Sequence, residues 1–310
     1  MKEFDLIRLL TRSLPTNQSV VVGPGDDCAV LDLGLPDRLL LFKTDAVVEG
    51  IHFTPEMAPE KIGHKALARC LSDIAAMAGT PTAALVTIGL PANFDPKKVE
   101  AIYDGMNALA RRHQVAIVGG ETTTNPGAIL ISIALLGTVP RGKAVLRSGA
   151  EVGDAIFVTG ELGGSLESRH LEFEPRLAEA RWLAQNVALH AMIDISDGLA
   201  GDLRHILTAS RVAAELLSSA IPISAISRRA AKAKTLAKPA VLAALTDGED
   251  FELLFTVASR DAVPLLDAWK NQFPQLPLSC IGKIKEGEGI TLRDKTGTRL
   301  LTAHGYVHFS

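Results

Sequence analysis

The chain has little of what announces the common function classes. Cysteine is scarce: Cys28, Cys70 and Cys280 are far apart and odd in number, and no CxxC pair occurs. That pattern indicates neither a disulfide framework nor a zinc site, and it fits a reducing cytoplasm. No run of Lys or Arg exceeds two residues and the net charge is −3, so the basic stripe of a nucleic-acid binder is missing. No apolar stretch reaches the roughly 18 residues that a membrane helix needs. Residues 1–14 mix charges into their apolar residues, which does not read as a secretion signal. G-x-x-x-x-G-K-[ST] is absent, which excludes a P-loop enzyme, and no G-x-G-x-x-G opens a βα unit. H-E-x-x-H, the kinase H-R-D and the G-x-S-x-G elbow are absent as well.

What remains is an ordinary globular composition, 47% hydrophobic and 22% charged, in 310 residues. That length suggests two domains. In the first part the pattern predicts a strand over 38–44 ending at Asp45, a helix over 59–79, a strand over 82–90 and a helix over 96–113. A short strand over 115–118 then runs into Gly119-Gly120-Glu121, and a buried strand covers 128–139. This β-α-β-α-β order describes an α/β domain over residues 1–145. Residues 146–310 form a second domain: a strand over 155–159, helices near 176–189 and 199–210, and a broken helix over 224–245. A strand over 251–257, a helix over 261–272, a strand over 278–283 and a terminal hairpin from Gly289 complete it.

Acidic residues gather beside small ones in three places: Gly25-Asp26-Asp27-Cys28, Asp194-Ile195-Ser196-Asp197-Gly198 and Asp247-Gly248-Glu249-Asp250. Glycine lets the backbone turn sharply and approach a ligand closely. Carboxylates in such turns are hard oxygen donors of the kind Mg²⁺ prefers when it accompanies phosphates. Each cluster also has a plainer reading. Asp26 and Asp27 suit a tight turn, although adjacent acids repel unless something positive lies near. Asp45 could cap a strand end, and His52 in the Gly50–Phe53 turn could be structural. Lys65, Arg69 and Asp73 stand at i, i+4 and i+8, which suits a surface ladder of ion pairs, yet the apolar neighbours of Asp73 argue for a partner or a metal. Gly119-Gly120-Glu121 could cradle phosphate with backbone N–H groups, with Glu121 holding the accompanying metal, or form a polar loop. Ser196 or Asp197 could cap the following helix. Asp247–Asp250 could be a solvated turn.

Nine collinear segments carry a resemblance over nearly the whole chain: GPGDDCAV at 23–30, TDAVVEGIHF at 44–53, ALARCLSDIAAMAGTP at 66–81, VGGETT at 118–123, LRSGA at 146–150, VTGELGGS at 158–165, IDISDGLAGDLRHI at 193–206, DGEDFELLFT at 247–256 and GYVHF at 305–309. Together they resemble the thiamine-monophosphate kinases of the aminoimidazole-ribonucleotide-synthetase-like superfamily. The resemblance implies a two-domain α/β fold of α+β type, with a mixed-sheet N-terminal domain that dimerises and a C-terminal α/β domain. It implies ATP-dependent phosphorylation of thiamine monophosphate with several Mg²⁺ ions. Carried over by position, Asp27, Thr44, Asp45, Asp73, Glu121, Asp194 and Asp197 would bind metal. Asp26 joins them on the adjacent-acid reading. Gly120, Glu121, Arg147, Ser196 and Tyr103 would contact ATP. His52, Glu249 and Tyr306 would contact the thiamine moiety. The implied partners are ATP and thiamine monophosphate, in a cytoplasmic homodimer without nucleic acid or membrane.

The chemistry agrees with these residue types. The acceptor is itself a phosphate, largely deprotonated at neutral pH because its second pKa is about 6, so no general base is required. The obstacle is repulsion between two polyanions, which cations held by carboxylates relieve. The chain departs from the family pattern in having Lys43 before Thr44-Asp45, where its ammonium could take the place and charge of one Mg²⁺, and Glu121 after Gly119-Gly120 in place of Asp. The stretch between Ser165 and Arg176 is short, which implies a missing helix. Two other readings stay open: a related ATP enzyme of the superfamily, such as a purine-ring synthetase or a hydrogenase-maturation dehydratase, and a weakened paralogue that binds without turnover.

Overall fold

The computed structural model describes residues 3–234, 238–303 and 305–306. Of the expected features, the middle of the 224–245 stretch and Val307-His308-Phe309 of the terminal motif lie outside the described residues. Helix α1 (Glu3–Thr11) opens the chain. The chain then divides into two compact units, one of residues Gln18–Ala144 and Leu171–Leu177, the other of Met1–Asn17, Val145–His170 and Ala178–Ser310.

The first unit is a six-stranded mixed sheet. Its strands are β1 (Val20–Val22), β2 (Ala29–Leu31), β3 (Arg38–Val48), β4 (Thr80–Leu90), β5 (Ala116–Thr124) and β6 (Leu130–Pro140), in the order β1-β2-β3-β6-β4-β5. All neighbours are antiparallel except β4 and β5. Burial alternates residue by residue along β6, with Ile131, Ile133, Leu135 and Val139 inward, as a half-covered strand requires. Helix α2 (Pro59–Ala76) covers the inward face and packs on α3 (Pro96–Arg112). Pro59 opens α2 at a position where its missing N–H costs nothing. Ile62, Ala66, Leu67, Cys70, Leu71 and Ile74 recur at helical spacing and are buried. The helix ends at Ala76 with Met77 as its C-cap, and Ala78 just beyond it takes a left-handed φ of 57°.

The two helices meet through glycine. A Cβ on Gly63 would lie 1.8 Å from the Ile102 carbonyl oxygen, and one on Gly105 would lie 1.8 Å from that of Glu60. Residues 171–177 also belong to this unit. Phe173 is buried there, its carbonyl bonded to His64 Nε2 at 2.8 Å, while Glu172 pairs with Lys61 and Glu174 with Arg112. No helix occurs between 166 and 176.

The second unit is a seven-stranded mixed sheet in the order β13-β12-β9-β11-β7-β10-β8. Its strands are β7 (Ala155–Thr159), β8 (Leu189–Asp194), β9 (Ala213–Leu217), β10 (Leu253–Val257), β11 (Leu278–Lys285), β12 (Ile290–Asp294) and β13 (Gly297–Leu300). Every residue of β7 and β10 is buried, as befits central strands covered on both faces. Besides α1, its helices among the described residues are α4 (Leu177–Asn186), α5 (Leu199–Ser210), α6 (Ala225–Lys232), α7 (Ala240–Thr246) and α8 (Ala262–Gln272). Ile156, Val158, Ile193, Leu199, Leu203, Ile206 and Leu254 meet in one apolar core that fixes α5 against the sheet. No helix among the described residues is long and apolar enough to cross a membrane.

Several expectations need correction. Strand β3 continues to Val48, so Asp45 lies inside it, paired across from Ile133, and does not end it. Strand β5 runs through Gly119-Gly120-Glu121 to Thr124, so those residues form an edge strand and not a loop. The helix near 176–189 ends at Asn186, which leaves β8 unforeseen. Strand β9 reads Ala-Ala-Glu-Leu-Leu, a helix-favouring string forced extended by its neighbours β11 and β12. Strand β10 starts only at Leu253, because Phe251 has a φ of 51°.

Gly105→Ala should destabilise the first unit by about 3 kcal/mol or more, since the new methyl overlaps helix backbone and no side chain can move aside. Urea unfolding with an unchanged midpoint would contradict the glycine contact.

Candidate functional site

In the first unit the candidate residues collect where β3 runs beneath α2. Residues i and i+2 of a strand are about 6.8 Å apart on one face, and residues i and i+4 of a helix rise about 6 Å. The two spacings match, so β3 and α2 form two ion pairs side by side. Lys43 Nζ lies 2.9 Å from Asp73 Oδ1. Arg69 Nε donates to Asp45 Oδ2 at 2.9 Å. Asp45 Oδ1 also accepts the Ala46 N–H at 2.7 Å. Arg69 and Asp73 each reach across to β3, so they are not a purely surface ladder along α2. Lys65 is not on the surface either. It is 1% exposed, and its ammonium donates to the His52 carbonyl at 2.8 Å.

Asp27 is 2% exposed, and one of its carboxylate oxygens lies within 4.8 Å of one from Asp73. The Cys28 N–H donates to Met77 Sδ at 3.1 Å, which ties this turn to the end of α2. Asp26 Oδ1 accepts the Asp27 N–H at 3.1 Å. Burial favours the neutral amine at Lys43, but Asp73, Asp45 and Asp27 outweigh it and raise its pKa above the ordinary lysine value.

His52 sits in a turn closed by the Gly50 N–H bonding the Phe53 carbonyl at 2.8 Å. Its Nδ1 accepts the Val48 N–H at 3.1 Å, which leaves the ring's donor on Nε2. Thr44 faces the other side of the sheet from its two neighbours, its hydroxyl 3.5 Å from that of Ser132. Glu121 is exposed on β5, opposite Thr87. Gly120 is glycine for a packing reason, since a Cβ there would lie 1.8 Å from the Val86 carbonyl oxygen. Tyr103 is half-buried on α3, with its pKa raised by burial. No contact links it to the carboxylates.

In the second unit two acidic loops are stitched together. The Glu249 N–H donates to the Ser196 carbonyl and the Phe251 N–H to the Ile195 carbonyl, each at 2.7 Å. Glu249 and Phe251 hold left-handed φ values of 57° and 51°, a strained backbone for non-glycine residues. Helix α5 takes Gly198 as its N-cap, with φ 103° and no side-chain cap bond. The capping role open to Ser196 or Asp197 is therefore not used. The Tyr306 N–H donates to the Asp197 carbonyl at 2.8 Å, so Ser196, Asp197, Glu249 and Tyr306 share one backbone framework.

Not every acid of these loops is available for a ligand. Asp250 accepts the Gly163 N–H at 3.0 Å and pairs with Arg169 at 3.2 Å. Burial pushes its pKa up to about 7, against the pull of Arg169 and that N–H. Asp247 accepts the Gly164 N–H and pairs with Lys238 at 2.5 Å. Both acids thus hold the Gly160–Ser165 loop. The Glu249 carboxylate lies 3.7 Å from His170 Nδ1.

Oxygens of Asp197 and Asp202 and a ring nitrogen of His205 all lie within 4.8 Å of one another. Asp202 is buried, and its Oδ2 accepts the Asp197 N–H at 3.1 Å. Burial first, then Asp197 and Asp194, raise its pKa, while Arg147 pulls it down. Burial and Arg147 lower His205 to about 4. Asp194 is buried at the end of β8, opposite Leu253. Arg147 accepts the Ser210 hydroxyl on its backbone carbonyl at 3.3 Å.

Residues 25–139 match the family model described as AIR synthase related protein, N-terminal domain. The thiamine-monophosphate kinase of Rhodopirellula baltica is 40% identical over 97% of this chain and 95% of its own. The thiamine-monophosphate kinase of Bacillus subtilis is 34% identical over the full length of both. The chain belongs to the thiamine-monophosphate kinase family. Its fold agrees: the solved structure of AaThiL complexed with AMPPCP and TMP superposes with a TM-score of 0.83 at 31% identity, covering 99% of this chain and 97% of that one. The two mixed sheets are thus those of a thiamine-monophosphate kinase.

Within this family member, sequence reasoning passed over four residues that the structure places among the candidates. Asp202 and His205 stand at i and i+3 on α5, a spacing that puts them on one helix face. Arg69 and Lys65 were read as surface cations, although the buried neighbours along α2 held the contrary signal.

His205 stays neutral in the folded protein down to about pH 4, whereas an unfolded histidine protonates near pH 6.5. The unfolded state therefore binds more protons between those values. Stability attributable to this group is fully present above pH 6.5 and is lost as the pH falls towards 4, by up to about 3 kcal/mol. His205→Gln should flatten the stability profile in that window. An unchanged profile from denaturant titrations at pH 4.5 and 7 would remove His205 as its source.

Proposed function

We propose that the protein transfers the γ-phosphoryl group of ATP to thiamine monophosphate, giving thiamine diphosphate and ADP, the last step of thiamine diphosphate synthesis. The observation that carries this reading is the full-length likeness to AaThiL complexed with AMPPCP, an ATP analogue, and TMP. The relatives at 34–40% identity over the whole chain favour this reaction over those of sister enzymes in the superfamily.

The carboxylate-rich donor set suits a hard divalent ion, and the buried Asp27 and Asp73 oxygens within 4.8 Å of each other fit one. The metal-holding role is assigned to Asp26, Asp27, Thr44, Asp45, Asp73 and Glu121 of the first unit and to Asp194 and Asp197 of the second. Bound Mg²⁺ would neutralise phosphate charge and help align donor and acceptor. Gly120, Glu121, Arg147, Ser196 and Tyr103 are assigned to ATP. The Arg147 guanidinium supplies a permanent positive charge for phosphate oxygens.

His52, Glu249 and Tyr306 are assigned to thiamine monophosphate. A carboxylate and an aromatic face both favour its thiazolium cation. The Val48 bond to Nδ1 leaves His52 able to donate from Nε2. No side chain is assigned as a base, because the acceptor phosphate is already ionised.

Residues 1–145 are assigned ATP and Mg²⁺ binding and dimerisation, and residues 146–310 form the C-terminal domain. A homodimer is supported by the sheet face opposite α2. It carries Phe42 and Leu85, 45% and 49% exposed, with Leu136 and Ala134 paired beside them. An apolar sheet face left this open calls for a cover. Three free cysteines fit a cytoplasmic location.

Purified protein with ATP, Mg²⁺ and thiamine monophosphate should yield thiamine diphosphate, measured as its fluorescent thiochrome derivative, and EDTA should abolish the product. Nucleotide binding without product would instead indicate a paralogue that binds without turnover. Asp27→Asn should lower kcat by at least about a hundredfold, the scale of losing one group that stabilises transition-state charge, with the melting temperature retained. Near-normal turnover would remove Asp27 from the metal site.

A further inference from the structure

We propose that Lys43 is a resident cation of the carboxylate cluster in the first unit. Its ammonium takes on Asp73 the position of a divalent ion and supplies part of its positive charge, so that the chain binds one Mg²⁺ fewer than it would with a neutral residue at position 43. This deepens the kinase reading and rests on it for the identity of the ion.

The geometry comes from the fold. Lys43 and Asp45 are two residues apart on β3, and Asp73 and Arg69 are four apart on α2, so the match of strand and helix spacing fixes both pairs together. Lys43 Nζ fills the space in front of Asp73 Oδ1 at 2.9 Å. A divalent ion on that same oxygen would sit within a few ångströms of the ammonium, and their repulsion leaves room for one cation.

The charges point the same way: Lys43 and Arg69 already set one cation against each of Asp73 and Asp45.

The test counts ions on the full chain. Mg²⁺ is titrated calorimetrically into protein saturated with AMPPCP, for the wild type, Lys43→Gln and Lys43→Arg. The expected result is one additional Mg²⁺ per chain in Lys43→Gln and the wild-type number in Lys43→Arg. An equal stoichiometry in all three overturns the proposal. If Lys43→Gln lowers the melting temperature, millimolar Mg²⁺ should restore it in the variant while leaving the wild type unchanged. A variant that Mg²⁺ does not restore overturns the proposal too. The readout is binding, so it separates the two claims. Thiamine diphosphate formation with unchanged stoichiometry sinks the role of Lys43 alone, and a raised stoichiometry without product sinks the kinase reading alone.

Discussion

Like charges held close together repel, and much of this structure is arranged around that repulsion. In the first unit three aspartates are gathered at the β3–α2 contact, and the same contact brings in Lys43 and Arg69 to offset them. In the second unit the acids of two loops are held by backbone hydrogen bonds from Glu249 and Phe251 to Ser196 and Ile195. Buried ions require partners with good geometry. Here the partners are the opposing lysine and arginine, the N–H groups of Gly163 and Gly164, and Arg169.

The same constraint explains where the backbone is unusual. Glu249, Phe251, Gly248 and Gly198 all take left-handed φ values at the two acidic loops. Left-handed residues other than glycine persist only where the surroundings over-determine them. The bonds that tie one loop to the other, together with the buried Asp250 beneath them, supply that over-determination. The helices answer a different need. Gly63 and Gly105 let α2 and α3 approach backbone to backbone, which stiffens the helix that carries Arg69 and Asp73.

Much of this was legible in the sequence. The helical repeat of α2, the presence of strand β6 and the Pro and Gly that bound α2 read out by local rules, whereas the alternate burial along β6 came only with its neighbours. So did the acidic clusters beside glycine, which do not belong in a core. The family was readable because nine collinear segments are far more specific than any one of them, and the full-length relatives agree. Strand β9 was not readable, because its Ala-Ala-Glu-Leu-Leu string favours helix until β11 and β12 pair with it. The ends of β3 and β5 were not readable either, since turn-forming residues such as Asp45 and Gly119-Gly120 are tolerated inside strands when a neighbouring strand holds them.

By itself, then, the sequence determined the chemistry on offer: which hard donors, which cations and which glycines the chain possesses, and which cofactor motifs it lacks. Tertiary structure alone decided who pairs with whom. Lys65, Arg69 and Asp73 read as a ladder along one helix, yet β3 takes Arg69 and Asp73 and the His52 turn takes Lys65. Asp247 and Asp250 read like Glu249, yet glycine N–H groups claim the first two. Charge and hydrogen-bonding capacity are properties of a residue, but the partner that satisfies them comes from another part of the chain, and only folding brings it within reach.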